Sequence, residues 1–501
     1  MYYTYILKSK KDNHMYTGFT NNLKLRLKQH HSHLLQGSTF APPSRFDLED
    51  EKGSTLKTRI FLFSAQFVLS LTLKISLLGL LFVQPLFAEA TVAGIVGGDL
   101  SSANLNNAAT AYSGVMASSA NSWAVTAADV YQPVPTSVTL TKLKVKLNGT
   151  PGAGKSYTFD IVKNVSGTPG DVSNDCVIAD TATTCEITIS VALVQQDLVA
   201  VRAVPSGTPT ARGATWYVEY NSVTEGETIF MASPSVVINT TNTRYCNMVG
   251  ICSPDTGQDS RVLLSTSGTF KKLTAYATTS PGGIASIQLT LRKRTSLGTP
   301  ADTSVITTLT GSEVIDSDNV NTQAGVAGES YAIEITPSNT PAATPIGIGV
   351  VFDVNTPGEF VVSSAGGGNN SSNAYCDMQG NCSTIGESVR LSLGGNFTYK
   401  NIYVESITAL TAGGTFDVTL RKNQTTNTAL TFKLTDSILA GNYVTNISAT
   451  ALDEWTVKVV PTTSPGNRNL MMSFLGYIPP TSVISKPPNN LGLVGYWSFN
   501  E

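Results

Sequence analysis

The chain has 501 residues, 41% hydrophobic and only 14% charged, a length that sets an expectation of three to four domains with cores of their own. Its net charge of −2 is uneven: residues 1–90 hold 11 Lys/Arg against 6 Asp/Glu, which leaves 22 basic and 29 acidic residues beyond Ala90. A mildly acidic body argues against a nucleic-acid surface there, and plentiful Gly, Ser, Thr and Asn favour strands and turns over helices.

In chain order, the first readable stretch is residues 1–43. Tyr3, Tyr5 and Leu7 alternate as in a strand, and Tyr16, eleven residues after Tyr5, suits a hairpin partner. Leu23, Leu25 and Leu27 also alternate, although the flanking Lys, Arg and Gln are compatible with a short basic helix. The segments "YTYIL" at Tyr3 to Leu7, Tyr16-Thr17-Gly18-Phe19-Thr20 and "NNLKLRLKQHH" from Asn21 to His31 together resemble the GIY-YIG endonuclease family, in particular its small single-domain members.

The resemblance implies a small α/β fold with Arg26 and His30 on one helix face. It further implies phosphodiester cleavage, with Tyr5 and Tyr16 as the motif tyrosines, Arg26 as phosphate stabiliser and His30 as a proton-transfer group. Such chemistry is coherent, because a guanidinium offers phosphate a bidentate fork and a water nucleophile needs a base and a metal near neutral pH. The family holds that metal with a glutamate on a later helix. Here the resemblance stops after Pro43, and Glu49 and Glu51 fall in an acidic linker over 44–56. The expectation is therefore an inactive fragment. Mg2+ and DNA would enter only if the fragment were active, and no other cofactor is expected.

Residues 57–90 combine a basic start, an apolar run from Ile75 to Val83 and a small-x-small end at Ala88-Glu89-Ala90, the pattern of a secretion signal. Ile60 to Val83 is also long enough to span a bilayer, but Gln66 and Lys74 lie within it. Both readings stay open: a cleaved signal, giving a secreted or cell-surface protein, or an uncleaved anchor in contact with the membrane. A signal preceded by 55 residues is anomalous. An exported product starting near Leu56, with residues 1–55 from a neighbouring reading frame, would explain it.

Past Ala90 the chain repeats itself. "TRYCNMVGICS" at 243–253 matches "NAYCDMQGNCS" at 373–383, with "TAYSGVMASS" at 110–119 as a weaker first copy. Lys163, Lys293 and Lys422 form a second anchor. Pro205, Pro337 and Pro461 form a third, each preceded by an acid eight residues earlier (Asp197, Glu329, Asp453). The anchors mark units of about 130 residues, at 91–225, 226–356 and 357–479, a typical domain size. Within them "LTKLKVKL" from Leu140, "SYTFDIVK" from Ser156 and "WTVKVVP" from Trp455 alternate with period two between turn residues. The fold class is mainly β: tandem antiparallel β-sandwich repeats with one wet face per sheet, after the signal or transmembrane segment and the truncated α/β fragment.

All four histidines precede Ala90 and all six cysteines lie beyond it, in the close pairs Cys176/Cys185, Cys246/Cys252 and Cys376/Cys382. Three local disulfides in an oxidising compartment are expected. A zinc site is the rival, but the body has no histidine and its pairs are spaced by nine or six. Ser113 and Ser119 stand where the other copies have cysteines, a joint replacement that suits a bonded pair. Cys176–Cys185 is expected to bridge a turn.

"GTPGAGKS" over 149–156 matches a phosphate-binding loop by letter, but the residues after it alternate as a strand rather than a helix, so a hairpin turn is expected and no nucleotide. "DSDN" over 316–319 suits a solvated turn better than a calcium site, and Asn148 and Asn239 head Asn-x-Thr sequences common in such loops. Without histidine no Ser/His/Asp or Cys/His set is possible in the body. After a linker at 480–490, "LGLVGYWSFNE" over 491–501 resembles the opening strand of laminin-G-like, concanavalin-like domains. The function expected from sequence is extracellular binding or adhesion to a glycan or protein ligand. The alternatives are a nuclease and a structural envelope or appendage component.

Overall fold

The computed structural model describes residues 3–8, 15–20 and, with short breaks, 94–479. The chain divides into two compact units, Met1–Leu86 and Phe87–Glu501. In the first, strands Tyr3–Lys8 and Met15–Thr20 pair antiparallel, with Tyr3 opposite Thr20 and Lys8 opposite Met15. The basic 21–31 stretch, the 57–90 segment and the 491–501 tail lie outside the described residues. Among the described residues, no helix is long and apolar enough to cross a membrane.

The second unit is built almost wholly of strands, arranged as three successive pairs of sheets. In the first pair, one sheet runs Thr184–Leu193, Val138–Leu147, Ala214–Ser222, Gly94–Leu100, and its companion runs Ala111–Ser113, Leu198–Ser206, Gly152–Val165, Thr168–Asp171. The second pair is centred on Gly268–Ala277 beside Ile346–Val354 and on Ser286–Arg294 beside Ser330–Ser338. In the third pair, Phe397–Ser406 lies beside Arg468–Tyr477 and Thr415–Lys422 beside Glu454–Thr462. We call these pairs the first, second and third modules. Among the described residues the named strands pair antiparallel except where Gly250–Cys252 runs parallel to Glu227–Pro234, and an isolated Gly98–Ala117 bridge is also parallel.

Period-two alternation explains the packing. Leu143, Val145 and Leu147 of one sheet join Tyr157, Phe159 and Ile161 of the other in one core, all fully or almost fully buried. Trp455, Val457 and Val459 do the same in the third module. The three-residue step from Leu140 to Leu143 breaks the alternation because the ladder shifts there: Glu219 lies opposite Lys142, but Tyr220 lies opposite Leu140. A bulge at this point restores the inward face. Matching shifts occur at Lys271/Thr274 and Tyr399/Asn401, with Lys272 at φ 55°.

Three expectations are corrected. The 148–151 turn is no hairpin, since Val138–Leu147 and Gly152–Val165 belong to different sheets and the turn crosses the sandwich edge. Cys176–Cys185 does more than bridge a turn: Cys176 lies on a strand paired with Gly152–Val165, and Cys185 on one paired with Val138–Leu147, so the bond ties the two sheets together. Nor does every sheet keep a wet face. On the outward face of the first module, Lys144 is 6% exposed, Tyr217 0% and Glu219 7%. Tyr217 and Ile95 pack into the third module's core, so protein covers that face where water was expected.

Candidate functional site

The first candidate is the N-terminal strand pair. Its register sets Leu7 opposite Tyr16 and Tyr5 opposite Gly18, so positions 5 and 16 fall one diagonal step apart on the same face of the ribbon. Arg26, His30, Glu49 and Glu51 lie outside the described residues.

In the second unit the repeated anchors turn out to be ion pairs. Lys163 Nζ meets Asp197 at 2.6 Å, Lys293 meets Glu329 at 2.7 Å and Lys422 meets Asp453 at 2.7 Å. Each acid also accepts the amide hydrogen of the residue three earlier: Val194, Val326 and Thr450. One carboxylate thus closes a tight turn and fixes a lysine across to the next strand, a structural task that accounts for the spacing. Burial alone would push Asp453 up, but Lys422, Thr450 and Asn423 hold it below the ordinary carboxylate value.

The repeated tyrosines are committed as well. The Arg292 guanidinium lies 5.7 Å from the Tyr245 ring centroid and Arg421 lies 5.9 Å from that of Tyr375. In the first module the strand register sets Tyr112 opposite Arg202. Arg202 holds Asp160 through Nε and Nη2, the latter at 2.6 Å, and reaches Asp171 at 3.0 Å. Burial pushes the Asp160 carboxyl up to about 6, against the pull of Arg202, while Asp171 and Asp175 push it further up. These three carboxylates could gather round a cation, but the guanidinium already supplies the positive charge to two of them.

All six cysteines are bonded, as Cys176–Cys185, Cys246–Cys252 and Cys376–Cys382, in agreement with the expected pairs. The 316–319 acids are held locally: Asp316 accepts from the Thr307 hydroxyl and the Thr308 amide, and Asp318 from the amides of Ile306, Val320 and Asn321. Asn239 closes its own turn by accepting from Thr241 and Asn242. No helix succeeds the 149–156 loop, which runs into strand Gly152–Val165. A cleft of 230 Å³, lined by Asn164, Gln196, Leu198, Tyr276 and Ile315 among others, lies between the first and second modules. It is small and offers no nucleophile or acid–base pair, since Asp197 on its rim is held by Lys163.

Sequence reasoning missed a set of buried acids between modules. Glu227 is fully buried against Thr136 and Lys272, at 3.0 and 2.8 Å. Glu359 repeats this with Thr266 at 2.9 Å and Lys400 at 3.5 Å. Burial raises Glu405 above the ordinary value, opposed by the Leu297 amide and by Arg294 and Arg261. The signal was present, for "ETIFMASP" and "EFVVSSAG" open with the same acid before a buried strand.

This geometry defines a β-rich body with interior, structural chemistry and a separate strand pair at the N-terminus. Residues 1–53 match the family model of the GIY-YIG catalytic domain, which carries on beyond Pro43 through Glu49 and Glu51. No curated protein sequence matches the chain.

Proposed function

We propose that the second unit works outside the cell as a binding or adhesion protein for a glycan or protein ligand. The complete pairing of its cysteines carries this reading, because three local disulfides persist in an oxidising compartment and are rare in a reducing one. Residues 57–90 act as its export signal or, uncleaved, as its anchor, and the repeats span 91–225, 226–356 and 357–479. The 491–501 tail opens a laminin-G-like domain. A glycan array probed with the exported protein tests the ligand class. Saturable binding supports adhesion, and a blank array together with failure to bind host or matrix proteins favours a structural envelope or appendage role. N-terminal sequencing of the exported product distinguishes signal from anchor.

The family match supports a second reading for residues 1–53, phosphodiester hydrolysis of DNA with Mg2+, in which Tyr5, Tyr16, Arg26 and His30 surround the phosphate. We favour an inactive fragment. Incubation of the full chain with DNA and Mg2+ decides between them: cleavage abolished by Arg26→Ala would establish the nuclease.

A further inference from the structure

Each module meets its neighbour through the same strand. Tyr276, Glu405 and Lys146 occupy matching positions, opposite Gly347, Met471 and Thr215 on the adjoining strand. Tyr276, of the second module, joins an apolar cluster of the first that includes Tyr131, Leu198 and Ala200. Glu405, of the third, accepts the amide of Leu297 in the second at 3.1 Å and faces Arg294 at 3.7 Å. Lys146, of the first, pairs with Glu454 of the third. The receiving positions match in the first and third modules, where Leu198 and Glu454 each come directly after the anchor acid; in the second that place is Ser330, and the receiver is Arg294 opposite it on the adjoining strand.

A second row of contacts has the same sense. Short strands Gln132–Pro133, Val262–Leu263 and Leu391–Ser392 lie against Ile346–Val354, Arg468–Tyr477 and Ala214–Ser222 respectively. The approach is close enough that a Cβ on Gly349 would collide with the Pro133 carbonyl oxygen. The Thr136–Glu227 and Thr266–Glu359 bonds form a third matched row between the first and second and between the second and third modules.

We propose that the three modules close into a ring, making this one chain the counterpart of a cyclic trimer. The second docks on the first, the third on the second and the first on the third. Three modules in a line would form two such contacts and leave two docking faces bare; the Lys146–Glu454 contact and the burial of Tyr217 in the third module use up both. Rotation about an axis keeps height along it, so equivalent turns stand at the same end. The turns over 206–209, 338–341 and 462–465 are such a set: each has three exposed residues and then a buried proline. Each also places two successive residues at positive φ: Gly207 and Thr208, Asn339 and Thr340, Thr463 and Ser464. A ligand read by one turn would be offered three from the same end. Ring closure itself does not depend on any binding role.

Zero-length carbodiimide coupling of the full chain, with peptide mapping of the monomer band, tests closure. The ring predicts a Lys146–Glu454 link beside the within-module links Lys163–Asp197, Lys293–Glu329 and Lys422–Asp453. Within-module links without Lys146–Glu454, or a Lys146–Glu454 link found only in coupled dimers, would overturn it. Calorimetry gives a second reading: one unfolding transition for the three modules supports closure, and three separate transitions refute it.

Discussion

The same slot between modules is filled in opposite ways. Where the second module meets the first, Tyr276 sits among apolar side chains. Where the third meets the second, Glu405 and Arg294 meet at 0% and 8% exposure. An aromatic ring in that slot gains from leaving water, whereas the charge pair is tolerated only while both members are present. Shape is thus common to the slots, and chemistry is particular to each.

The largest expected effect comes from breaking the pair. Arg294→Leu removes the cation that Glu405 faces at 3.7 Å, leaving only the field of Arg261 and the Leu297 amide, and should cost about 3 kcal/mol in denaturant unfolding. A loss under about 1 kcal/mol would mean that water reaches the acid. Tyr276→Ala in the apolar slot should cost about 3 kcal/mol by leaving a cavity, with a smaller loss if the slot collapses around it. Next, replacing Cys376 and Cys382 together by serine should cost about 2 kcal/mol, since the bond closes a short loop. The first module already manages with Ser113 at the corresponding place, so folding should survive.

The smallest effect is a slope with pH that separates the two slots. Burial raises Glu405 above 4.5, so its contribution is fully present below that value and is lost as pH rises through the raised value. Tyr276 is raised above 10 by burial and by Asp129, so the other slot weakens only at alkaline pH, as pH climbs through the raised value. Glu405→Gln should flatten the acid-side slope of stability and leave the alkaline side alone. An unchanged acid slope would remove Glu405 from the account.

Much of this was legible in the sequence because repetition exposes what each unit needs. Lys163 and Asp197, visible there only as recurring letters, are one ion pair seen three times, and the cysteine pairs come from proximity and compartment. Alternation gave the inward faces of 156–161 and 455–459. The hidden part depends on the other modules. Lys144 reads as a wet lysine until Tyr217 and its neighbours are seen to be covered, and no local pattern says which face a distant repeat will occupy. The 149–156 turn was misread for a related reason, since sequence signals a reversal without saying whether the next strand stays in the same sheet. At the N-terminus the tyrosine register is visible in the strand pair, while the roles of Arg26 and His30 rest on the family resemblance.

Tyr276, Glu405 and Lys146 bear on how such a chain is made. Repeats of one fold emerging one after another can pair with the wrong sibling and trap the nascent chain. An aromatic ring, an acid and a base at one position act as three differently cut keys. The ring finds an apolar pocket only on the first module, the acid its arginine only on the second, and the lysine its glutamate only on the third. The last of these matches waits until the third module has been synthesised, so chain order and docking order are coupled by residue chemistry alone.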